Sequence, residues 1–215
     1  MIFEIFIRCL TVLLVTTLFS CTGSAPSVSG FMNPKSEIFV KHTSKSGDLY
    51  NKYSEEYGKS YDELDEEYST GLFLDKNYLK WGLEVGSSGL GELVLGIKNK
   101  YFGALGWLAV PIDNAVNVTY GAAIAEQYSL ALLNSTFRMG IYEYINEFNV
   151  SVFDENDMLF RSVEGAKSYI ESGVGIYSAV NLTKRLGISV DYKIGRQIKS
   201  HQIRRYLETM VFLLI

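Results

Sequence analysis

The sequence predicts a mainly β protein, an antiparallel up-and-down β-barrel of 8–10 strands that follows an N-terminal acidic amphipathic helical segment. Three observations predict this fold. Apolar residues alternate with small or polar ones in several segments of about 9–11 residues, the length of a membrane-crossing strand. The 15 tyrosines, 12 phenylalanines and 19 glycines, with only 3 prolines, favour strands over a helical bundle. A secretory signal opens the chain, so the alternating segments belong to an exported protein.

The first 20 residues, 1–20, predict a signal peptide. Arg8 precedes an apolar run from Cys9 to Phe19. This run is shorter than the roughly 20 apolar residues that a membrane-spanning helix needs. The sequence Leu18-Phe19-Ser20-Cys21 resembles the lipobox of bacterial lipoproteins. That resemblance implies cleavage before Cys21, a diacylglyceryl group on its thiol and an acyl chain such as palmitate on its new amine. The alternative is an ordinary signal peptide followed by a chance cysteine.

The composition limits the size, the partners and the cysteine chemistry of the mature chain. About 195 residues would remain after cleavage, which is enough for one domain with a real core. The net charge is −4, so the chain as a whole is not expected to attract nucleic acid. Cys9 would leave with the signal and Cys21 would carry lipid, so no disulfide is expected. Residues 21–45 are interpreted as the lipidated cysteine and a tether, because Ser, Gly and Thr dominate its first part.

Residues 46–69 have a different pattern. Five tyrosines and one leucine recur at steps of three and four residues and would share one face of a helix. They are Tyr50, Tyr53, Tyr57, Tyr61, Leu64 and Tyr68. The opposite face of this helix would be acidic. Three interpretations stay open: a helix that packs on the main domain, a partly disordered acidic spacer, or a tyrosine surface that binds a protein or sugar.

Residues 70–215 are assigned to the barrel. Nine strands are expected, at 79–85, 93–97, 101–110, 116–124, both arms of a hairpin over 127–146 that turns near Asn134-Ser135, 174–182, 186–194 and 206–215. Single-chain bacterial barrels have even strand numbers. A weak strand at 37–42 or at 70–75 would make ten, and fusion of two strands would make eight. Residues 154–172 are expected to form a long loop with one short helix, because Leu159, Val163, Ala166 and Ile170 share a helical face.

The alternation also assigns faces. Trp81, Leu83, Ile188, Val190 and Tyr192 face lipid if the barrel is embedded, and they fill a core if it is a soluble barrel. Periodicity alone does not separate these alternatives. The charged residues of the opposite face are expected to pair inside the lumen rather than to catalyse a reaction; they are Lys80, Glu84, Asp191 and Lys193.

Connection lengths give a consistency test, since outer-membrane barrels have short periplasmic turns and long outside loops. Counting back from the last strand, 196–204 should lie outside, 183–185 should be a tight periplasmic turn, and 148–172 should lie outside. The sequence satisfies this order.

Two late segments carry a family resemblance. The stretch Gly173-Val174-Gly175-Ile176-Tyr177 and the stretch from Asn181 to Tyr192 combine a glycine-rich strand, a tight polar turn and a strand ending in an acidic–aromatic region. This combination resembles the late strands of small outer-membrane β-barrel proteins of the opacity and OmpA-like type. The resemblance implies a barrel in the outer membrane of a Gram-negative-type bacterium.

No catalytic motif supports an enzyme. The only histidines, His42 and His201, lie far apart in polar stretches, and HExxH, CxxC and Walker motifs are missing. No cofactor and no metal site are therefore predicted. Membrane lipid is an expected partner, both for the acyl chains and for the barrel surface, and the sequence leaves open which protein or small molecule the chain binds. The expected function is a lipid-anchored outer-membrane barrel with a structural, surface-interaction or minor permeation role. The alternative is a lipid-tethered, soluble periplasmic barrel that binds an apolar ligand or a protein.

Overall fold

The computed structural model describes residues 26–47, 65–86, 90–111, 119–132, 135–153, 163–198 and 203–215. They form one short helix and ten strands. The elements are α1 Val28–Phe31, β1 Glu37–Gly47, β2 Asp65–Lys76, β3 Leu79–Gly86, β4 Leu90–Lys98, β5 Phe102–Pro111, β6 Thr119–Leu132, β7 Ser135–Phe153, β8 Val163–Asn181, β9 Leu186–Gln197 and β10 Ile203–Leu214.

Each strand pairs antiparallel with its neighbours in sequence, and β1 also pairs with β10, so the sheet closes into a barrel. Closure leaves no sheet edge with unpaired backbone groups. The predicted fold class is therefore confirmed, with ten as the strand number.

The strand count corrects the expectation of nine in two ways. Both weak strands exist, since 37–42 lies in β1 and 70–75 lies in β2. The segments 116–124 and 127–133 do not form separate strands, because β6 runs without a break from Thr119 to Leu132 and pairs with β7 along its whole length. The hairpin near Asn134-Ser135 is confirmed by the β6–β7 pairing.

The domain boundaries need correction at the amino-terminal side. The barrel begins at Glu37 and not at residue 70, because β1 is the strand that joins β10 to β2. The expected tether therefore contains a strand, and it also contains α1. The expected helical segment 46–69 is wrong at its ends, since 46–47 belong to β1 and 65–69 to β2; residues 48–64 lie outside the described residues.

The helix expected within 154–172 is also wrong for the part that the structure describes. Residues 163–172 belong to β8, and the β7–β8 pairing continues as far as Phe153 opposite Val163, with a register shift at Val152/Phe153. The helical spacing of Val163, Ala166 and Ile170 is overridden because β7 offers a paired strand over its full length. Residues 154–162 lie outside the described residues.

The two ends of the barrel differ. At one end, here called the turn end, neighbouring strands are joined by 77–78, 99–101, 133–134 and 182–185, and the chain enters β1 there. At the other end, the loop end, the connections are 48–64, 87–89, 112–118, 154–162 and 198–202. The order of short and long connections expected from the sequence matches this arrangement.

Candidate functional site

The outer surface of the barrel is apolar around its whole circumference. Every one of the ten strands carries at least one large hydrophobic side chain that is exposed. The five residues expected to point outward do so: Trp81, Leu83, Ile188, Val190 and Tyr192. In β9 exposed and buried residues alternate at every position, because successive side chains of a strand point to opposite faces of the sheet.

Much of the inner surface is polar or charged, and these side chains are buried. Lys80, Glu84, Asp191 and Lys193 all point inward as expected, with at most 3% of their surface exposed. Buried charges are costly unless they are paired and hydrogen-bonded. The lumen must therefore supply partners for them.

The centre of the lumen holds two such ion pairs. Lys41 pairs with Glu84, which also accepts a hydrogen bond from the Ser69 hydroxyl at 2.6 Å. The ammonium of Lys193 lies 2.5 Å from a carboxylate oxygen of Glu208. These contacts confirm that Glu84 and Lys193 pair inside the lumen.

Tyrosines supply the next set of contacts. The Tyr142 hydroxyl donates to Asp191 at 2.7 Å. Towards the loop end, Glu171 accepts hydrogen bonds from the hydroxyls of Tyr144, at 2.8 Å, and Tyr206, at 3.0 Å. Strands β7 to β10 are thereby cross-linked through the interior as well as through their backbone ladders.

The segment before β1 fills the turn end of the lumen. Residues 26–33 are all buried. The Ser27 hydroxyl accepts a hydrogen bond from the backbone N–H of Gly30 and caps α1, and the Ser29 hydroxyl lies 3.0 Å from that of Ser189 on β9. We call residues 26–33 the plug.

One lysine holds the plug in place. The Lys80 ammonium donates to the carbonyl oxygens of Gly30 at 2.8 Å, Asn33 at 2.7 Å and Lys35 at 3.0 Å. An ammonium has three donors, so all of them bind the plug and the residues that follow it. Asn33 in turn donates to Glu37 at the start of β1.

Apolar contacts complete the plug. The Phe31 ring meets the Phe73 ring edge-on at 6.4 Å, and Phe73 stacks on Phe39 at 5.3 Å. A Cβ atom at Gly96 would lie only 2.7 Å from Phe31 Cζ, so the missing side chain of Gly96 makes room for this ring. Val28, Phe31 and Met32 thus belong to one buried cluster with residues of the barrel wall.

Leu105 and Trp107 join this cluster. The sequence pattern places them on the same side of β5 as Tyr101, and both are about 4% exposed and point into the lumen. The outward residues of β5 include Phe102 and Leu108. An apolar inward face is stable here because it packs against other buried side chains rather than against water.

The described part of the lumen is therefore closed. Little space for water remains around the side chains of Lys41, Asp191, Lys193 and Glu208, since each is only 1–2% exposed. The plug closes the turn end below them. Sequence reasoning missed the plug, and the only local signal for it was the group of apolar residues Val28, Phe31 and Met32 inside an otherwise small and polar segment.

The remaining sequence predictions have mixed outcomes. Cys21 and residues 1–20 lie outside the described residues, as does His201, so lipidation and the signal peptide stay predictions. His42 lies on the outer face of β1 and packs on the Tyr68 ring at 4.7 Å. Among the described residues there is no cluster of three or more potential metal ligands and no helix of the length and hydropathy needed to cross a membrane. That the chain is not an enzyme stays a prediction.

Comparison with known proteins gives a general likeness only. No protein-family model and no curated protein sequence matches the chain. Similar solved structures include Neisserial surface protein A (TM-score 0.38, 11% identity, 84% of this chain and 96% of that chain covered). A second is the attachment invasion locus protein Ail of Yersinia pestis, solved with a heparin analogue (TM-score 0.40, 9% identity, 84% of this chain and 98% of that chain covered). A third is the N-terminal β-barrel domain of Pseudomonas aeruginosa OprF (TM-score 0.36, 6% identity, 82% of this chain and 96% of that chain covered). Matches at this level assign neither a family nor a function.

Proposed function

We propose that this chain is an integral outer-membrane β-barrel with a lipid anchor on Cys21, and that it has a structural or surface-interaction role. The observation that carries the proposal is the exposed apolar surface on all ten strands around a buried, charged interior. Soluble monomers rarely expose contiguous apolar patches larger than a few hundred Å². A closed barrel, in contrast, pairs all its backbone groups and can present such a surface to lipid.

The exposed face argues against the soluble periplasmic barrel. That alternative needs Trp81, Leu83 and Val190 to fill a core, and these side chains point away from the lumen. A cup for an apolar ligand would also need an open apolar interior, whereas the described lumen holds the plug and several ion pairs. The closed lumen likewise disfavours the permeation role.

The two ends of the barrel support an orientation. Short turns of outer-membrane barrels face the periplasm and long loops face outside. By that rule the turn end and the plug lie in the periplasm, and the longer connections of the loop end, such as 48–64 and 154–162, lie outside. Surface interaction would then depend on these outer connections.

A membrane-retention experiment separates the anchor from the barrel. Residues 1–21 are replaced by a signal peptide of the ordinary, non-lipoprotein type, and washed outer membranes are extracted with urea at high pH. The proposal predicts that the unlipidated protein stays in the membrane and migrates faster on a detergent gel when it is not boiled. Release into the soluble periplasmic fraction would contradict the proposal and support the tethered soluble barrel.

A further inference from the structure

The turn end of the barrel carries exposed positive charge. Its exposed cations are Lys35, Lys76, Lys100, Lys184 and Arg185. The described connections 77–78, 99–101 and 182–185, and the residues 33–36 that precede β1, contain no aspartate or glutamate. We call these five cations the basic rim.

Acidic residues near the basic rim do not neutralise it. Asp75 forms an ion pair with Lys98 at 2.5 Å, and Glu37 is buried and bonded to Asn33. The nearest exposed acid that the structure describes is Glu126, on the outer face of β6 opposite Phe102. One carboxylate faces five cations, so the described surface of this end is positive.

Exposed tyrosines lie at the same end, on the side of the barrel formed by β2 to β6. Tyr78 is 74% exposed, Tyr101 58% and Tyr128 67%, and the Lys100 ammonium lies 5.3 Å from the centre of the Tyr101 ring. Tyrosine and tryptophan side chains concentrate at the headgroup level of membranes. The cations therefore stand at or just beyond the depth of lipid headgroups.

One connection assigned to the opposite end is acidic in sequence. The connection 48–64 carries five acidic residues and two lysines, which are Asp48, Glu55, Glu56, Asp62 and Glu63 against Lys52 and Lys59. The exposed cations Arg196 and Arg205 also lie towards that end.

We propose that the basic rim binds the headgroups of anionic phospholipids in the adjacent leaflet; the proposal rests on the embedding of the barrel in a membrane. The distribution of the cations favours lipid over a protein partner. They come from the β2–β3, β4–β5 and β8–β9 turns and from the segment before β1, which lie around the circumference of the closed barrel. A leaflet surrounds the barrel on all sides, whereas an acidic protein would contact one side. Anionic headgroups attract lysine and arginine near a membrane surface, and salt screens this attraction.

Trp81 provides a local probe of lipid. It is 37% exposed on the outer face of β3, close to the turn that follows Lys76, whereas Trp107, the other tryptophan, is buried in the lumen. The full mature protein is reconstituted in phosphatidylcholine vesicles that contain either brominated phosphatidylglycerol or brominated phosphatidylcholine. Quenching of Trp81 by each brominated lipid then measures lipid preference at the basic rim, with Trp107 as a constant background.

The expected result is a preference of about fivefold for phosphatidylglycerol at low salt, which falls at high salt. The double variant Lys76→Gln/Lys100→Gln should lose the preference, because both lysines flank the strands next to Trp81. The control Arg196→Gln/Arg205→Gln, which changes two exposed cations towards the loop end, should keep it.

Two other outcomes overturn the proposal, and they have different meanings. Equal quenching by both lipids, or a preference that the lysine variant keeps, would show an embedded barrel whose basic rim does not select headgroups. An acidic protein partner would then be the better explanation of the cations. Absence of quenching by either lipid would show that Trp81 does not face lipid, and the proposed membrane embedding would fail with it.

Discussion

The ammonium of Lys80, on the inner face of β3, donates a hydrogen bond to the carbonyl oxygen of Gly30 at 2.8 Å. This contact joins residues far apart in sequence and ties the plug to the barrel wall. It also explains how a lysine with no exposed surface is tolerated, since its remaining donors bind the carbonyls of Asn33 and Lys35. The N-terminal segment is therefore part of the folded barrel.

The first prediction concerns this contact. Lys80→Met keeps the aliphatic stem but leaves the buried carbonyl groups of Gly30 and Asn33, and the part-buried one of Lys35, without their donor. The loss should destabilise the plug by about 3 kcal/mol. The plug would then open more often. A cysteine at position 29, which the plug buries against Ser189, should react with a polar thiol reagent much faster in the Lys80→Met background.

Lys76→Met is the matched control. Lys76 is an exposed lysine at the end of β2, so the same substitution there should leave the reactivity of the cysteine at position 29 unchanged. Equal labelling rates in the wild-type and Lys80→Met backgrounds would mean that Lys80 does not hold the plug.

A second prediction concerns glycines of the barrel wall. Gly175 lies against the ring of Tyr142, whose hydroxyl is fixed by Asp191, so a Cβ atom at position 175 would collide with a ring that cannot easily move. Gly175→Ala should lower the free energy of unfolding in detergent by about 1–3 kcal/mol. Gly106 faces outward, and a Cβ there would lie 3.6 Å from its nearest neighbour, the Gly121 carbonyl oxygen. Gly106→Ala should therefore be neutral, and an equal effect of both substitutions would refute the assigned faces.

The buried ion pair of Lys193 and Glu208 allows a double-mutant cycle. Either Lys193→Met or Glu208→Gln alone removes one partner of a pair that is 2% exposed on both sides, and each should cost about 3–5 kcal/mol. The double variant should cost less than the sum, because no unpaired charge of this pair remains buried. Urea unfolding of the four proteins in lipid vesicles measures the coupling. Strict additivity would show that the two side chains do not interact.

The lipid anchor is tested by metabolic labelling with radioactive palmitate. Lipidation at Cys21 predicts that Cys21→Ala abolishes the label, whereas Cys9→Ala, in the expected signal peptide, keeps it. Label on a mature Cys21→Ala protein would contradict lipidation at Cys21. It would not bear on the proposal that the barrel is embedded in the membrane.

The strands and their faces were predictable because they depend on local alternation. Along β9 the sequence alone identifies Ile188, Val190 and Tyr192 as one face and Ser189, Asp191 and Lys193 as the other, and the structure confirms both. The pattern does not tell which face points outward, because a soluble barrel and an embedded barrel share the same period of two. The exposed side chains of the closed barrel supply that answer.

The plug and the inward-facing Trp107 were not predictable, since both depend on contacts between distant parts of the chain. Residues 22–30 are small and polar and are typical of a tether, and nothing local shows that Phe31 will find space beside Gly96. The start of β8 was misjudged for a related reason. Its apolar residues have helical spacing, and only the pairing with β7 decides for a strand.

The plug determines which side chains position 189 can accommodate. In an open lumen an arginine at position 189 would be tolerated, but Ser189 is buried and contacts Ser29, so Ser189→Arg should displace the plug. Val190→Arg should instead impair assembly, because a charge at mid-depth on the lipid face costs about 2–4 kcal/mol. Val190→Leu is the control that keeps the face apolar.

The most direct test of the account is the accessibility of spin labels at positions 189 and 190 in lipid vesicles. At position 190 the account predicts high access for oxygen, which dissolves in lipid, and low access for a polar nickel reagent. At position 189 it predicts much lower access for oxygen than at position 190, because this side chain points into the lumen and away from lipid. A label at position 190 that is shielded from both reagents would place Val190 in a packed protein core and contradict the embedded barrel.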